Sequence, residues 1–177
     1  MTNFERRTND QLDRIISMLD KIISLLQDKE EDKPLELEDH NFKINSDGWE
    51  KITMDGKIYL QNKEKDVWEF LEGECKGEQL FTYDAAIRET KKAGKIMPTD
   101  KQLSELLKSK EDLKNVIYPG NRDIDGSFGS LGSYLLLWSF TPFGWSNAWF
   151  LNLSSSYSTI IRSNGSRACG FSVRCLK

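Results

Sequence analysis

The chain has 177 residues, with 25 Lys and Arg against 28 Asp and Glu and a net charge of −3. The chain therefore lacks the excess of positive charge with which proteins bind the phosphates of nucleic acids, and we expect no nucleic acid partner. Aromatic residues make up 11% of the chain, which is enough to build a core without disulfides or cofactors. The apolar residues near the N-terminus are interrupted by charged ones, so we expect no insertion into a membrane.

Residues 1–28 predict a coiled-coil helix that oligomerises. A capping-box pattern at residues 8–11 starts the helix, and apolar residues then recur at four-three spacing. The apolar arc consists of Leu12, Ile15, Ile16, Leu19, Ile22, Ile23 and Leu26. Because Ile15 and Ile22 make this arc wider than a two-stranded seam, we expect a homo-oligomer, and a trimer in particular. A helix that packs onto its own domain is the alternative.

A change in composition divides the rest of the chain into two parts. Residues 29–41 are strongly charged and contain Pro34, which predicts a linker. Residues 42–177 predict a domain of the α+β class: a meander of strands at 49–53, 57–60 and 67–71, with a turn at Asp55-Gly56, comes first. Helices at 82–93 and after Thr99 follow, and strands at 134–139, 148–153, 158–162 and 171–176 complete the domain.

The composition of residues 138–169 is typical of a binding surface. Large aromatic residues alternate with serine, threonine and glycine and follow neither a helical nor a strand period. Aromatic side chains give a large contact area at low entropic cost, while the small polar ones supply adaptable hydrogen bonds. We expect Phe143 and Trp145 to be exposed in a loop. Trp138, Trp149, Phe171 and Val173 are expected to belong to the core.

Several C-terminal motifs together resemble a known protein family. They are Gly94-Lys95-Ile96-Met97-Pro98-Thr99-Asp100, Gly126-Ser127-Phe128, Leu137-Trp138-Ser139, Asn147-Ala148-Trp149 and Gly170-Phe171-Ser172-Val173-Arg174-Cys175. With the order of strands and helices, they resemble the variable proteins of diversity-generating retroelements, in the formylglycine-generating-enzyme-like subgroup of the C-type-lectin fold. The resemblance covers about residues 45–177 and implies a C-type-lectin-like, ligand-binding domain.

The resemblance also implies which positions vary. In that family a reverse transcriptase misreads template adenines, so that asparagine codons become codons ending in C or T. The positions where this chain departs from the family's framework, and which we therefore expect to bind ligand, are Phe140, Phe143, Gly144, Ser146, Phe150, Ser154, Tyr157, Thr159, Ile161, Ser163, Ser166, Ala168 and Cys169. Trp145 is also expected to bind ligand; because no tryptophan codon ends in C or T, either its codon arose differently or Trp145 belongs to the fixed framework. Asn147, Asn152 and Asn164 are either fixed or unaltered.

Candidate catalytic and metal-binding residues are scarce. His40 is the only histidine in the sequence and lies at the end of the charged segment. A histidine-based acid, base or metal site is therefore not expected. The three cysteines lack the spacing of a zinc site or a disulfide framework. The resemblance implies that Cys175 matches the second cysteine of the formylglycine-generating enzymes, whereas their first falls near Gly170. Between a cation site and a polar turn for residues 123–126, the pattern favours the turn.

Three functions are compatible with these patterns, and the sequence favours the first. It is a non-enzymatic module that displays residues 138–169 to a protein or glycan on a target cell. The coiled coil would bring several copies together and so strengthen weak binding through avidity. The expected location is then a virion attachment structure, with the cytoplasm or cell surface as the alternatives. The second function is a formylglycine-generating-enzyme-like oxidoreductase using Cys175. The third is an assembly protein that acts through its coiled coil.

Overall fold

The computed structural model describes residues 34–45 and 47–177, together with Met18. The predicted coiled coil and its seven apolar positions lie outside these described residues. The compact unit that the structure describes spans Leu35–Lys177. It contains two α-helices and three antiparallel sheets, which confirms the predicted α+β class.

The elements follow one another in the order of strands, helices and strands. The first sheet consists of β1 (Glu50–Met54), β2 (Lys57–Asn62), β3 (Val67–Phe70) and β4 (Gln79–Phe81). The helices are α1 (Tyr83–Lys92) and α2 (Asp100–Leu106), followed by a 3-10 turn at Lys110–Asp112. A two-stranded sheet is formed by β5 (Asn121–Arg122) and β6 (Phe128–Gly129). The last sheet consists of β7 (Tyr134–Phe143), β8 (Asn147–Ser154) and β9 (Ile160–Ser166).

Local sequence signals account for the turns and caps of the first half. Asp55 and Gly56 both have positive φ, at 50° and 71°, as the two-residue turn of a hairpin requires. The Thr82 hydroxyl accepts a hydrogen bond from the Ala85 amide and so caps α1. Thr99 and Gln102 form the full capping box at the start of α2. The predicted meander and both helices are thereby confirmed.

The β7–β8–β9 sheet is covered on both faces, which explains why its strands do not alternate simply between apolar and polar. One face carries Trp138, paired with Phe150, into the core cluster that also holds Phe171. The opposite face packs against Leu103 of α2 through four leucines. These are Leu135, Leu137, Leu151 and Leu153. A sheet buried on both sides needs near-continuous apolar strands.

The C-terminal segment is not the regular strand that its alternation predicts. Phe171 bridges to Phe81, Ser172 to Leu137, and Leu176 to both Leu37 and Ile96. Because these residues pair with different segments, no continuous ladder forms. The segment instead joins the first sheet, the last sheet and the loop before α2 into one core.

The domain begins before residue 42, although the charged pattern predicts a linker over residues 29–41. The Glu38 amide donates to the Cys175 carbonyl at 2.8 Å, and the Phe42 amide donates to the Val173 carbonyl at 2.7 Å. Asn41 is buried. This part of the charged segment is therefore paired with the C-terminal segment, because main-chain hydrogen bonding does not require apolar side chains.

Candidate functional site

The turn between β7 and β8 forms the most prominent exposed feature of the predicted variable stretch. Phe143 pairs with Asn147 across the hairpin, which leaves Gly144, Trp145 and Ser146 as the connecting loop. The Trp145 side chain is 99% exposed, so its indole makes almost no contact with the domain. Gly144 has a φ of 67°, in the left-handed region that glycine and asparagine tolerate best. The predictions that Phe143 and Trp145 are exposed are confirmed.

The fourteen expected ligand-binding positions differ in how far they are exposed to solvent. Nine are exposed: Phe140, Phe143, Gly144, Trp145, Ser146, Tyr157, Thr159, Ile161 and Ala168. Three are half-buried: Ser154, Ser163 and Ser166. Two are buried: Phe150 and Cys169. The last two are corrections, since a buried side chain cannot offer its surface to a ligand.

Phe150 is buried because the register of β8 turns it toward the core. Its ring lies 4.8 Å from that of Phe171 and 6.0 Å from that of Trp138, in edge-to-face arrangements. Gly165 faces it, and a Cβ there would come within 3.1 Å of the Phe150 ring. Phe150 thus belongs to the aromatic core, and its size is set by packing.

Cys169 is buried beside the turn that links β5 to β6. Its Sγ lies 3.7 Å from Asp123 Oδ1, and burial together with this carboxylate raises the pKa of the thiol to about 11. Burial likewise raises the pKa of Cys175 to about 12. Both thiols are therefore protonated at neutral pH, whereas a thiolate is the nucleophile and metal ligand of cysteine.

The exposed positions do not form one continuous patch. The loop of Trp145 precedes β8, whereas Tyr157 and Thr159 lie in the loop that follows it. β8 has eight residues, so the two loops are separated by about 25 Å along the strand. An antiparallel hairpin necessarily sends successive loops to opposite ends of its sheet. Ile161 lies near the Tyr157 end, since it pairs with Asn152.

A groove of about 700 Å³ adjoins Trp145 and collects several predicted positions. One wall comes from the variable stretch, through Trp145, Ser146, Ser166 and Ala168. This proximity follows from the register, since Ser166 pairs with Asn147 next to the turn. The groove is the place where the predicted variable residues converge, and we name it the Trp145 groove.

The opposite wall of the Trp145 groove comes from residues that the sequence patterns did not single out. It includes Gln61, Asp66, Trp68, Thr82, Asp84, Arg122 and Ile124. These residues belong to β2, the β2–β3 turn, β3, the start of α1, β5 and the β5–β6 turn, and several of these elements are far apart in sequence. No motif spacing joins them, and only the pairing of Arg122 with Gly170 brings that arginine beside the variable stretch.

Two guanidinium groups give the groove its charge. The Arg122 guanidinium carbon lies 4.1 Å from the centre of the Trp68 ring, and burial lowers the pKa of Arg122, although an arginine in a protein stays protonated. Arg167 forms an ion pair with Asp84, and its Nη1 lies 3.4 Å from the Trp145 carbonyl oxygen. Its buried Nε has no hydrogen-bond partner among the described residues.

The comparisons with known proteins give no identification. No family model, curated protein or solved structure matches the chain.

The described residues show neither a metal site nor a membrane-spanning helix. Within 34–45 and 47–177, no three His, Cys, Asp or Glu side chains are grouped so that they could hold a metal ion. Asp125 accepts hydrogen bonds from the Ser127 amide and hydroxyl, at 2.9 and 2.7 Å, as in a polar turn. In the part of the chain that the structure describes, no helix combines the length and apolarity needed to span a membrane.

Trp149 departs from its expected place in the core. Trp138, Phe171 and Val173 are buried as expected, but Trp149 is only half-buried. The Arg162 guanidinium carbon lies 3.3 Å from the centre of the Trp149 ring, and Arg162 Nη2 lies 2.8 Å from Asp100 Oδ2 of α2. This stack fastens β9 to α2 at the edge of the sheet.

A double-mutant cycle tests the stack of Arg162 on Trp149. Trp149→Ala and Arg162→Ala should show a coupling of about 0.5 to 1 kcal/mol in the free energy of unfolding, because the arginine is half-exposed. Chemical denaturation of the two single variants and the double variant measures it. Additive effects, with no coupling, would mean that the ring and the guanidinium stabilise the domain independently.

Proposed function

We propose that this protein is a variable, ligand-binding protein of the diversity-generating-retroelement type, with a C-type-lectin-like domain that displays the Trp145 groove. The observation that carries the proposal is the wholly exposed Trp145 beside a groove lined by other predicted variable positions. Phe143 is exposed at the same turn, and neighbouring exposed aromatic side chains are typical of a surface that binds a partner. The mixture of two helices with antiparallel sheets agrees with the proposed fold.

The main chain at the variable positions supports the proposal, since residues outside that stretch hold it. The Phe140 amide donates to the Pro98 carbonyl at 2.7 Å, and the Tyr83 hydroxyl donates to the Phe140 carbonyl at 2.7 Å. The Tyr83 amide donates to the Arg167 carbonyl at 3.0 Å. Side chains can change on such a backbone without altering its hydrogen bonds, which is what a diversified surface needs.

The remaining parts of the proposal rest on the sequence. The heptad pattern of residues 1–28 favours a trimer, in which three copies of the groove bind one target surface with avidity. A virion attachment structure is the proposed location. The half-buried Ser163 and the positions around Tyr157 would then serve as a second, separate contact region.

The neighbouring DNA provides the most direct test of diversification. We expect a near-copy of the segment that encodes residues 138–169, beside a reverse transcriptase gene. The two copies should differ only where the near-copy has adenine. Differences spread over all four bases, or the absence of a second copy, would contradict the proposal.

A combinatorial library tests whether the surface tolerates change. The library varies the exposed positions other than Gly144, namely Phe140, Phe143, Trp145, Ser146, Tyr157, Thr159, Ile161 and Ala168. Most members should fold, because exposed substitutions usually change stability by only about 0.5 kcal/mol each. Thermal melting of random members, and selection against lysozyme as a probe, measure folding and binding.

The matched control library varies three buried neighbours, Ala148, Phe150 and Leu151. Most of its members should fail to fold, because volume changes in a packed core leave cavities or strain. A third library that varies Gly144 alone should keep glycine and asparagine among its stable members, given the positive φ there. Equal loss of folding in the surface and core libraries would contradict a surface built to vary.

A further inference from the structure

The polar groups of the Trp145 groove suit a ligand that both donates and accepts hydrogen bonds. Ser146 and Ser166 offer hydroxyl groups on one wall, while Gln61 offers an amide on the other. The carboxylates of Asp66 and Asp84 also face the groove and can only accept when ionised. They would repel a ligand with many negative charges. Sugar hydroxyls, which donate and accept, can satisfy all of these groups.

Arg122 adds one cation that forms no direct ion pair, although the charges of Asp66 and Asp125 partly offset the lowering of the pKa of Arg122 by burial. The only hydrogen bond from its side chain to the described residues joins Nη1 to the Asp123 carbonyl oxygen, at 3.3 Å. No carboxylate of the described residues lies within ion-pair distance of Arg122. Its stack on Trp68 holds the planar guanidinium in place, which favours bidentate binding of a carboxylate.

Close packing fixes the position of Arg122. A Cβ on Gly170 would come within 3.1 Å of Arg122 Cβ and 3.4 Å of Trp68 Cε3. The main chains of Arg122 and Gly170 exchange hydrogen bonds at 3.0 and 2.8 Å. The guanidinium is therefore presented by a rigid part of the domain, and its place does not depend on which residues the variable positions hold.

Trp145 supplies the apolar part of the same site. Its indole is free on both faces, as its 99% exposure shows. A sugar ring has a face of C–H groups that packs on an aromatic ring, while its hydroxyls point sideways toward polar walls. An aromatic platform, mixed donors and acceptors, and one arginine without a direct ion pair thus occur together in one groove.

From this combination we infer that the Trp145 groove binds an acidic sugar at the end of a glycan. The ring would lie on Trp145 and the carboxylate would pair with Arg122. The inference rests on the proposed function, because it names the class of ligand for the same surface. An acidic peptide with several carboxylates is the competing ligand, and Asp66 and Asp84 repel it more strongly than they repel a sugar with a single carboxylate.

The experiment follows the Trp145 indole N–H signal of the full chain by nuclear magnetic resonance. Glucuronic acid and N-acetylneuraminic acid are the probes, methyl glucoside is the neutral control, and triglutamate is the peptide control. We expect both acidic sugars to shift the signal at millimolar concentration, and methyl glucoside to bind at least about tenfold more weakly. A response to triglutamate alone, or equal responses to acidic and neutral sugars, would overturn the inference.

Variants locate the two contacts. For Trp145→Ala the readout moves to the Arg122 side-chain signals, and the affinity for acidic sugars should fall at least about tenfold. Arg122→Gln should lower the affinity for acidic sugars to that for the neutral sugar. Arg122→Lys should have an intermediate affinity, since lysine keeps the charge but lacks the two parallel N–H groups of the guanidinium. Ile96→Ser, on an exposed residue outside the groove and outside the expected ligand-binding positions, is the control and should bind normally.

The outcomes separate this inference from the proposed function. Thermal melting shows whether Arg122→Gln folds. If it does not fold, the binding of acidic sugars to Arg122→Lys still tests the contact with Arg122. If no acidic sugar shifts the indole signal while the surface library folds and yields binders, the sugar inference is wrong and the proposed function stands. If the surface library does not fold, the proposed function fails whatever the sugars do.

Discussion

Replacing Trp138 with alanine should lower the free energy of unfolding by about 3 to 5 kcal/mol. The side chain is fully buried, and its Nε1–H donates to the Phe81 carbonyl at 2.9 Å. Its ring lies 4.2 Å from that of Phe171 and 5.6 Å from that of Tyr83. The substitution therefore removes the packing of several aromatic rings and leaves a buried carbonyl oxygen without its donor. Urea denaturation measures the loss.

A matched pair of tryptophans makes this test specific. Trp145→Ala removes the same atoms from a side chain that is 99% exposed, so the free energy of unfolding should change by no more than about 0.5 kcal/mol. Trp138→Phe keeps ring packing but not the hydrogen bond. Its loss in free energy of unfolding should lie between those of Trp138→Ala and Trp145→Ala. Similar losses at positions 138 and 145 would mean that Trp145 packs against something that stabilises the folded domain.

Local signals were sufficient to predict much of the first half of the domain. The Asp55-Gly56 turn and the Thr99–Gln102 box each act within a few residues, so their formation depends little on the rest of the fold. β4 escaped prediction because its three residues are all buried and show no alternation. The short strands β5 and β6 escaped because pairing with distant residues, such as Gly170, defines them.

The surface was harder to predict than the core, and the reason is geometric. Composition alone marks residues 138–169 as unusual, but it carries no information on which side of a strand a residue faces. Phe150 and Tyr157 are both aromatic in the same stretch, yet one is buried in the core and the other lies 71% exposed in a loop. The separation of Tyr157 from Trp145 depends on strand direction, and the walls of the groove depend on tertiary contacts.

The exposed and buried parts of the variable stretch are interleaved along β8 and β9. Phe150 packs under Gly165, whereas Ser166, the next residue, lines the groove. Stability and ligand contact therefore come from adjacent residues with different orientations. This arrangement explains why variation in the groove need not alter the core, and why a library must be chosen by side-chain direction and not by sequence interval.

The second large effect is expected at Arg174, whose side chain is almost completely buried. Its guanidinium donates to the carbonyl oxygens of Glu38 at 3.1 Å, Lys114 at 2.9 Å and Asn115 at 3.5 Å. Its Nε also donates to Asn41 Oδ1 at 3.4 Å. This one side chain thus joins the C-terminal segment to the segment before Phe42 and to the loop after α2.

Arg174→Met should lower the free energy of unfolding by about 3 kcal/mol, because methionine fills much of the volume but leaves these oxygens without a donor. Arg174→Lys should lose less, since an ammonium group can still donate to one or two of them. Hydrogen exchange should rise first at residues 38–42, whose amides at Glu38 and Phe42 pair with the C-terminal segment. Unchanged stability and exchange in Arg174→Met would show that water replaces the guanidinium at little cost, and that main-chain pairing alone holds the start of the domain in place.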